Sequence, residues 1–271
     1  MKTLAILIIT ISFSFLATAN TAQVFYQNTE GFSGYKLKTV LKEKLKSTHR
    51  DNGYSALIEV YFQSDTDNEY DHDGSLVDMY SENPTSYDDY KYTSKKQVCG
   101  TYSGEAGCFN REHIVPQSSF QKASPMRSDF FHVYPTDGYV NNRRSNHPFG
   151  EVAQPSWVSQ NGSKLGTNSF GKYRGTVFEP IDEFKGDIAR ALLYFATRYE
   201  DRVASFNNPM FNGSRDQVYA DWFIDMLVRW HKLDPVSDHE IHRNEVGFKY
   251  QGNRNPFIDH PEFVEKIWGS R

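Results

Sequence analysis

Apolar residues recur at helical spacing over residues 35–46 (YKLKTVLKEKLK), which predicts a helix there. The same pattern over residues 187–200 (DIARALLYFATRYE) puts Ile188, Leu192, Phe195 and Tyr199 on one face of an amphipathic helix. A further helix is expected over 216–231 (DQVYADWFIDMLVRWH), stopped by Pro235. Residues 56–62 (ALIEVYF) fit a helix or a strand by periodicity alone. From 98 to 150 the chain is densely punctuated by Gly, Pro and Asn, which predicts short strands and loops. The pattern as a whole predicts an α+β fold, with helices at both ends around an irregular, β-containing centre.

One apolar stretch stands apart. Met1-Lys2 supplies a short positive segment, residues 4–16 are apolar but for Thr and Ser, and Ala17-Thr18-Ala19 gives a small-residue cleavage pattern, with a second option after Ala22. This predicts a signal peptide over residues 1–22 rather than an anchor helix, hence a soluble exported protein that does not engage a membrane. The remaining residues 23–271 show no linker, fixed-period repeat or low-complexity run, and are expected to form one domain. With 17 Tyr, 20 Phe and 4 Trp the chain is too aromatic to be disordered. Export makes the two cysteines informative: Cys99 and Cys108, in CGTYSGEAGC, are expected to form a disulfide, since two thiols cannot complete a zinc tetrahedron.

The formal net charge of −4 argues at first against a polyanionic substrate, but the charges are segregated. Residues 51–90 contain no Lys or Arg and carry a string of acids, whereas residues 91–150 hold eight basic residues against four acidic ones, a local balance of about +4. That basic stretch contains the candidate chemistry. In Arg111-Glu112-His113 an extended backbone would send Glu112 and His113 to opposite faces, one to hold a metal and the other to meet a water molecule. Asn141 offers an oxygen ligand for a hard cation such as Mg²⁺ or Ca²⁺. Arg143 and Arg144 beside it are suited to charge-assisted bonds with phosphate.

Other motifs carry less. His239-Glu240-Ile241-His242 lacks the spacing of a zinc-protease motif. Residues 65–78 (DTDNEYDHDGSLVD) contain a calcium-loop-like core, but counted from Glu69 the closing Glu position of an EF-hand is Tyr80, so a solvated acidic loop is expected. Residues 251–256 (QGNRNP) have no catalytic logic of their own and are expected to form a packed turn supporting the site.

Taken together, NREHIVPQSSF, SDFFHVYPTDGYVNNRRSNHPFGEV, DIARALLYFATRY and KYQGNRNPFIDHPEF occur in the order found in the endonuclease I family of secreted and periplasmic bacterial nucleases. The chain resembles that family from about residue 54 onward, including an acidic DGSLVDMYS stretch at 73–81. The resemblance implies a ββα-metal (His-metal finger) core embedded in a mostly helical domain. It implies His113 as general base, and Glu112 and Asn141 as ligands of one divalent cation, Mg²⁺ or else Ca²⁺ or Mn²⁺. Some relatives carry an arginine in an insertion between the two motifs. Here the gap is only 28 residues (141 − 113), so Arg127 or Arg144 would substitute, with Arg111 and Arg143 as further phosphate-binding candidates. Many relatives also read His-Asn where this chain has Phe131-His132. The implied activity is metal-dependent hydrolysis of DNA, and of RNA, with little sequence preference, by a monomer. A phosphodiesterase for other phosphate esters and a catalytically silent secreted nucleic-acid-binding module are the alternatives; retention of Glu112, His113 and Asn141 counts against the second.

Overall fold

The computed structural model describes residues 22–269, so all but the last residue of the expected signal peptide lies outside the described residues. Helix α1 (Gly34–Thr48) places Leu37, Leu41 and Leu45 in the core, one turn apart, with Lys38 buried beside them and paired with Glu200 at 3.0 Å. The ambiguous segment after it is a helix, α2 (Leu57–Ser64), which buries Leu57, Val60, Tyr61 and Ser64.

The centre of the chain holds two small antiparallel sheets. Strands β1 (Phe109–His113) and β2 (Val133–Asp137) pair in the register Phe109↔Asp137 through His113↔Val133. Helix α3 (Gly138–Arg144) follows β2 directly. A three-stranded sheet comes next, in the order β3 (Val152–Val158), β4 (Lys164–Asn168), β5 (Thr176–Glu179). The C-terminal part is helical: α4 (Lys185–Arg198), α5 (Asp221–Leu233), α6 (Asp238–Gln251), α7 (Pro256–Asp259) and α8 (Glu262–Trp268). One cluster of buried apolar residues runs from Phe25 to Trp268, so mixed helix and sheet enclose a common core. Among the described residues no helix is long and apolar enough to cross a membrane.

Three expectations need correction. Helix α4 is not a half-exposed amphipathic helix: every residue from Gly186 to Arg198 is buried. Its polar side chains survive burial because they find partners from distant segments. Arg190 donates to both oxygens of Glu240 at 2.6 Å, and Tyr194 donates to Asp129. The third predicted helix starts only at Asp221, because Val218 has φ 69° and Tyr219 is bridged to Phe211. The acidic stretch is not a solvated loop either, since Asp65, Asp67, Asp78 and Glu82 are buried. Asp65 is held by Arg243 at 2.8 Å, and Asp78 accepts the backbone N–H of Asp137 at 2.7 Å. The 251–256 turn is packed as expected: Gly252 (φ 87°) ends α6, the amide of Gln251 bonds Phe130 N–H and Asp129, and Asn255 caps α7.

Candidate active site

Strand β1 is extended, so its side chains alternate. Asn110 and Glu112 face α3, while Arg111 and His113 face the N-terminal segment around Tyr54. Helix α3 is fixed at its start by Asp137, whose side chain caps Val140 N–H at 2.8 Å and also accepts from the Tyr92 hydroxyl at 2.6 Å. Gly138 is required there: a Cβ at this position would lie 2.7 Å from the Tyr102 ring. Tyr102 belongs to the loop closed by the Cys99–Cys108 disulfide, which is present as expected. The loop and α3 are thereby seated against each other.

A pocket of about 340 Å³ opens at this junction, bordered by Arg111, Glu112, His113, Asn141 and Arg144, and by Tyr54, Asn110 and Cys99. A larger, mostly apolar groove lined by Val24, Phe25 and Phe248 contains none of the candidate residues.

Glu112 is only 1% exposed, and its Oε1 accepts from Arg144 Nη1 at 2.8 Å and from the Tyr80 hydroxyl at 3.1 Å. Burial pushes its carboxyl up to about 7, against the pull of the Arg144 charge. Both of these bonds fall on Oε1, so Oε2 is the oxygen of this side chain available to a further partner. Asn141 donates from Nδ2 to the Asn110 side-chain oxygen at 2.6 Å, so its own amide oxygen is the group left to accept or ligate. An all-oxygen pair of this kind, with room for water, suits a hard divalent cation.

His113 is 4% exposed, and its Nε2 lies 3.0 Å from the Arg127 carbonyl oxygen. Donation to that carbonyl fixes the tautomer and makes Nδ1 the acceptor. Desolvation, helped by the neighbouring His132, Arg127 and Arg111, lowers the ring to about 3, so it is neutral at physiological pH.

The arginines separate into distinct roles. Arg111 and Arg127 both lie over the Tyr54 ring, at 3.8 and 4.4 Å from its centroid. Arg143 is exposed on α3, over Tyr139 and Trp157. Arg144 borders the pocket from within the core. It is 1% exposed and committed to Glu112, to the carbonyl oxygens of His113 and Ile114, and to the Phe149 ring. The basic count over 91–150 therefore overstates the free positive surface, since Lys91 is paired with Asp73 and Lys95 with Glu59 as well. Glu240 of the HEIH segment is engaged by Arg190, away from this pocket. Tyr54, Asn110 and Tyr80 were not anticipated; nothing in a chain with 17 Tyr distinguishes two of them before the fold is known.

The chain matches the model of the family "Endonuclease I" over residues 33–262. It is similar to the extracellular ribonuclease of Bacillus amyloliquefaciens, 32% identical over 253 residues that cover 91% of this chain and 78% of the relative. The extracellular ribonuclease of Bacillus subtilis (strain 168) is 32% identical over 90% of this chain and 78% of its own length. The periplasmic deoxyribonuclease of Aeromonas hydrophila is 27% identical over 68% of this chain and 82% of its own. Both kinds of comparison agree with the motifs gathered at the pocket, and the chain belongs to the endonuclease I family of hydrolases.

Proposed function

We propose that this is an exported, divalent-metal-dependent endonuclease that hydrolyses DNA and RNA with little sequence preference, using His113 as general base. The observation that carries the reading is the convergence of Glu112, His113 and Asn141 on one pocket with Arg111. Relatives that are named as a ribonuclease and as a deoxyribonuclease support both substrates, and their extracellular and periplasmic descriptions support export through the N-terminal segment.

The residues present fit a cation: a buried carboxylate with one available oxygen and an amide oxygen border the same space. A cation bound by Glu112 and Asn141 supplies charge neutralisation for the phosphate and the leaving oxygen. His113 does the proton work. Nδ1 accepts a proton from the attacking water while its oxygen bonds to phosphorus and the bond to the leaving sugar oxygen breaks. A ring near 3 is always in the base form but is a weak base; an anionic phosphodiester beside it raises its proton affinity during the reaction. Arg111 places positive charge at the rim and is available to phosphate. Contacts of this kind address the backbone rather than base edges, which accounts for weak sequence preference.

Digestion of plasmid DNA and of single-stranded RNA, with and without EDTA, tests this reading. Both substrates should be cleaved, and chelation should abolish both activities, with recovery on adding excess Mg²⁺. EDTA-indifferent cleavage would contradict the metal-dependent reading, and inertness toward both polymers would contradict the nuclease reading for this chain.

A further inference from the structure

Residues 50–54 are fastened to two parts of the molecule and end at the active-site pocket. Arg50 N–H donates to the Gln251 carbonyl at 2.7 Å, and the Asn52 side chain donates to the Tyr250 carbonyl at 2.6 Å, which ties the segment to the end of α6. Asp51 accepts from the Ser128 hydroxyl, which ties it to the turn Met126–Ser128. Gly53 follows with φ 83°, a left-handed conformation that glycine adopts without strain, and Tyr54 after it borders the pocket. Tyr54 is half-buried, and its ring gathers three groups. The guanidiniums of Arg111 and Arg127 lie 3.8 and 4.4 Å from its centroid, and the His113 ring stacks on it at 5.8 Å with 26° between the planes. Arg111 also donates to the Tyr54 carbonyl at 3.2 Å. Phe120 and His132, the other rings beside His113, are buried and do not border the pocket; Tyr54 does.

Elsewhere the fold supplies its buried arginines with carboxylates: Glu112 for Arg144, Glu240 for Arg190, Asp65 for Arg243 and Asp259 for Arg254. Arg111 and Arg127 are treated differently. Neither has a carboxylate partner among the described residues, and the Nε atom of each is buried without a hydrogen bond. The two like charges share the attraction of one ring and repel each other. An anion received between them would relieve that repulsion and supply the missing acceptors.

We propose that Tyr54 is a positioning residue of the nuclease: its ring holds the Arg111 and Arg127 guanidiniums together beside His113, set to receive the scissile phosphate as a pair. The inference rests on the nuclease reading given above. An aromatic face suits this task better than a carboxylate would. It orients a planar guanidinium by stacking and leaves the charge free for phosphate, whereas a carboxylate would neutralise it. Because His113 stacks on the same ring, a phosphate taken by the pair is brought next to the base. Positioning of this kind acts on the rate, since charges already aimed need not reorganise in the transition state. The part of Tyr54 is to hold these groups; it transfers no proton.

The test is single-turnover cleavage of a DNA duplex in Mg²⁺ with saturating protein. The variants are Tyr54→Leu, Tyr54→Phe and the pair Arg111→Gln/Arg127→Gln, the last with and without Tyr54→Leu. Tyr54→Leu should lower the rate constant by about ten- to a hundredfold, as expected for misplaced rather than missing groups. Duplex affinity should change by less than about threefold, because both charges remain. A folding defect would lower the amplitude of cleavage instead of its rate constant, and Tyr54→Gln gives the same reading should Tyr54→Leu not fold. Tyr54→Phe keeps the ring face and should return the rate to within about threefold of wild type. In the Arg111→Gln/Arg127→Gln background Tyr54→Leu should cost less than about threefold more, since groups that act as a unit are not additive. Three results would overturn the inference: Tyr54→Leu within about twofold of wild type, Tyr54→Phe as slow as Tyr54→Leu, or a further loss of about tenfold in the double background. A wild type that cleaves no nucleic acid would contradict the nuclease reading itself, and this inference with it, which keeps the two failures apart.

Discussion

The guanidinium of Arg144 closes β1 onto α3: one nitrogen serves Glu112 and the His113 carbonyl, the other the Ile114 carbonyl. Truncating one partner of a buried ion pair leaves an uncompensated charge and costs about 3–5 kcal/mol. Arg144→Gln should therefore lose stability while leaving the salt dependence of duplex binding unchanged. Arg111→Gln and Arg143→Ala should behave the opposite way. Each should lower the slope of log K against log salt by about one unit, with little change in stability. Binding titrations at several salt concentrations, with Ca²⁺ replacing Mg²⁺ to limit turnover, check this; a reduced slope in Arg144→Gln would return that residue to the phosphate surface. Adjacent arginines with opposite fates could not be separated in the sequence. Burial of the second depends on Glu112, 32 residues earlier in the chain, and on Phe149. The pairing of His113 with Tyr54 has the same origin, whereas the gathering of Glu112, His113 and Asn141 at one pocket was legible because the motifs themselves carry them.

Helix α3 has only seven residues, too few to be stable alone, and it depends on what surrounds it. Asp137 caps it, and Tyr102 of the disulfide loop packs where a Gly138 side chain would otherwise stand. Gly138→Ala should destabilise the protein by about 1–3 kcal/mol through overpacking, and lower the cleavage rate as Asn141 shifts with the helix. Adding Tyr102→Ala should recover most of both losses. A double variant no better than Gly138→Ala alone would show that the ring is not the obstacle. Elements with a strong apolar period, α1 and α4, were readable from the chain. The burial of α4 on all sides was not, because Arg190 is neutralised by Glu240 from another helix. Helix α6 carries only a weak apolar period, so periodicity does not reveal it. Its N-terminal signature was present nonetheless: Ser237 and Glu240 form a capping box, and Gly252 ends the helix.

At the scale of the whole molecule, a net charge of −4 is compatible with a polyanionic substrate because several acids are internal. Asp65, Asp78 and Glu82 are buried, and the first two brace the frame around β2 through Arg243 and the Asp137 N–H. The chain thus keeps acid inside, presents Arg111 at the pocket and exposes Arg143 on α3. The shared core from Phe25 to Trp268 makes the site a product of the entire fold. The central claim is narrower and rests on one ring nitrogen. Single-turnover cleavage of a DNA duplex in Mg²⁺, comparing wild type with His113→Ala, tests it most directly. The account predicts a fall of about a thousandfold or more, with duplex affinity nearly unchanged, because the base acts in the transition state. A variant that keeps more than about a tenth of the wild-type rate, less than ~1.4 kcal/mol of barrier, would contradict His113 as the base.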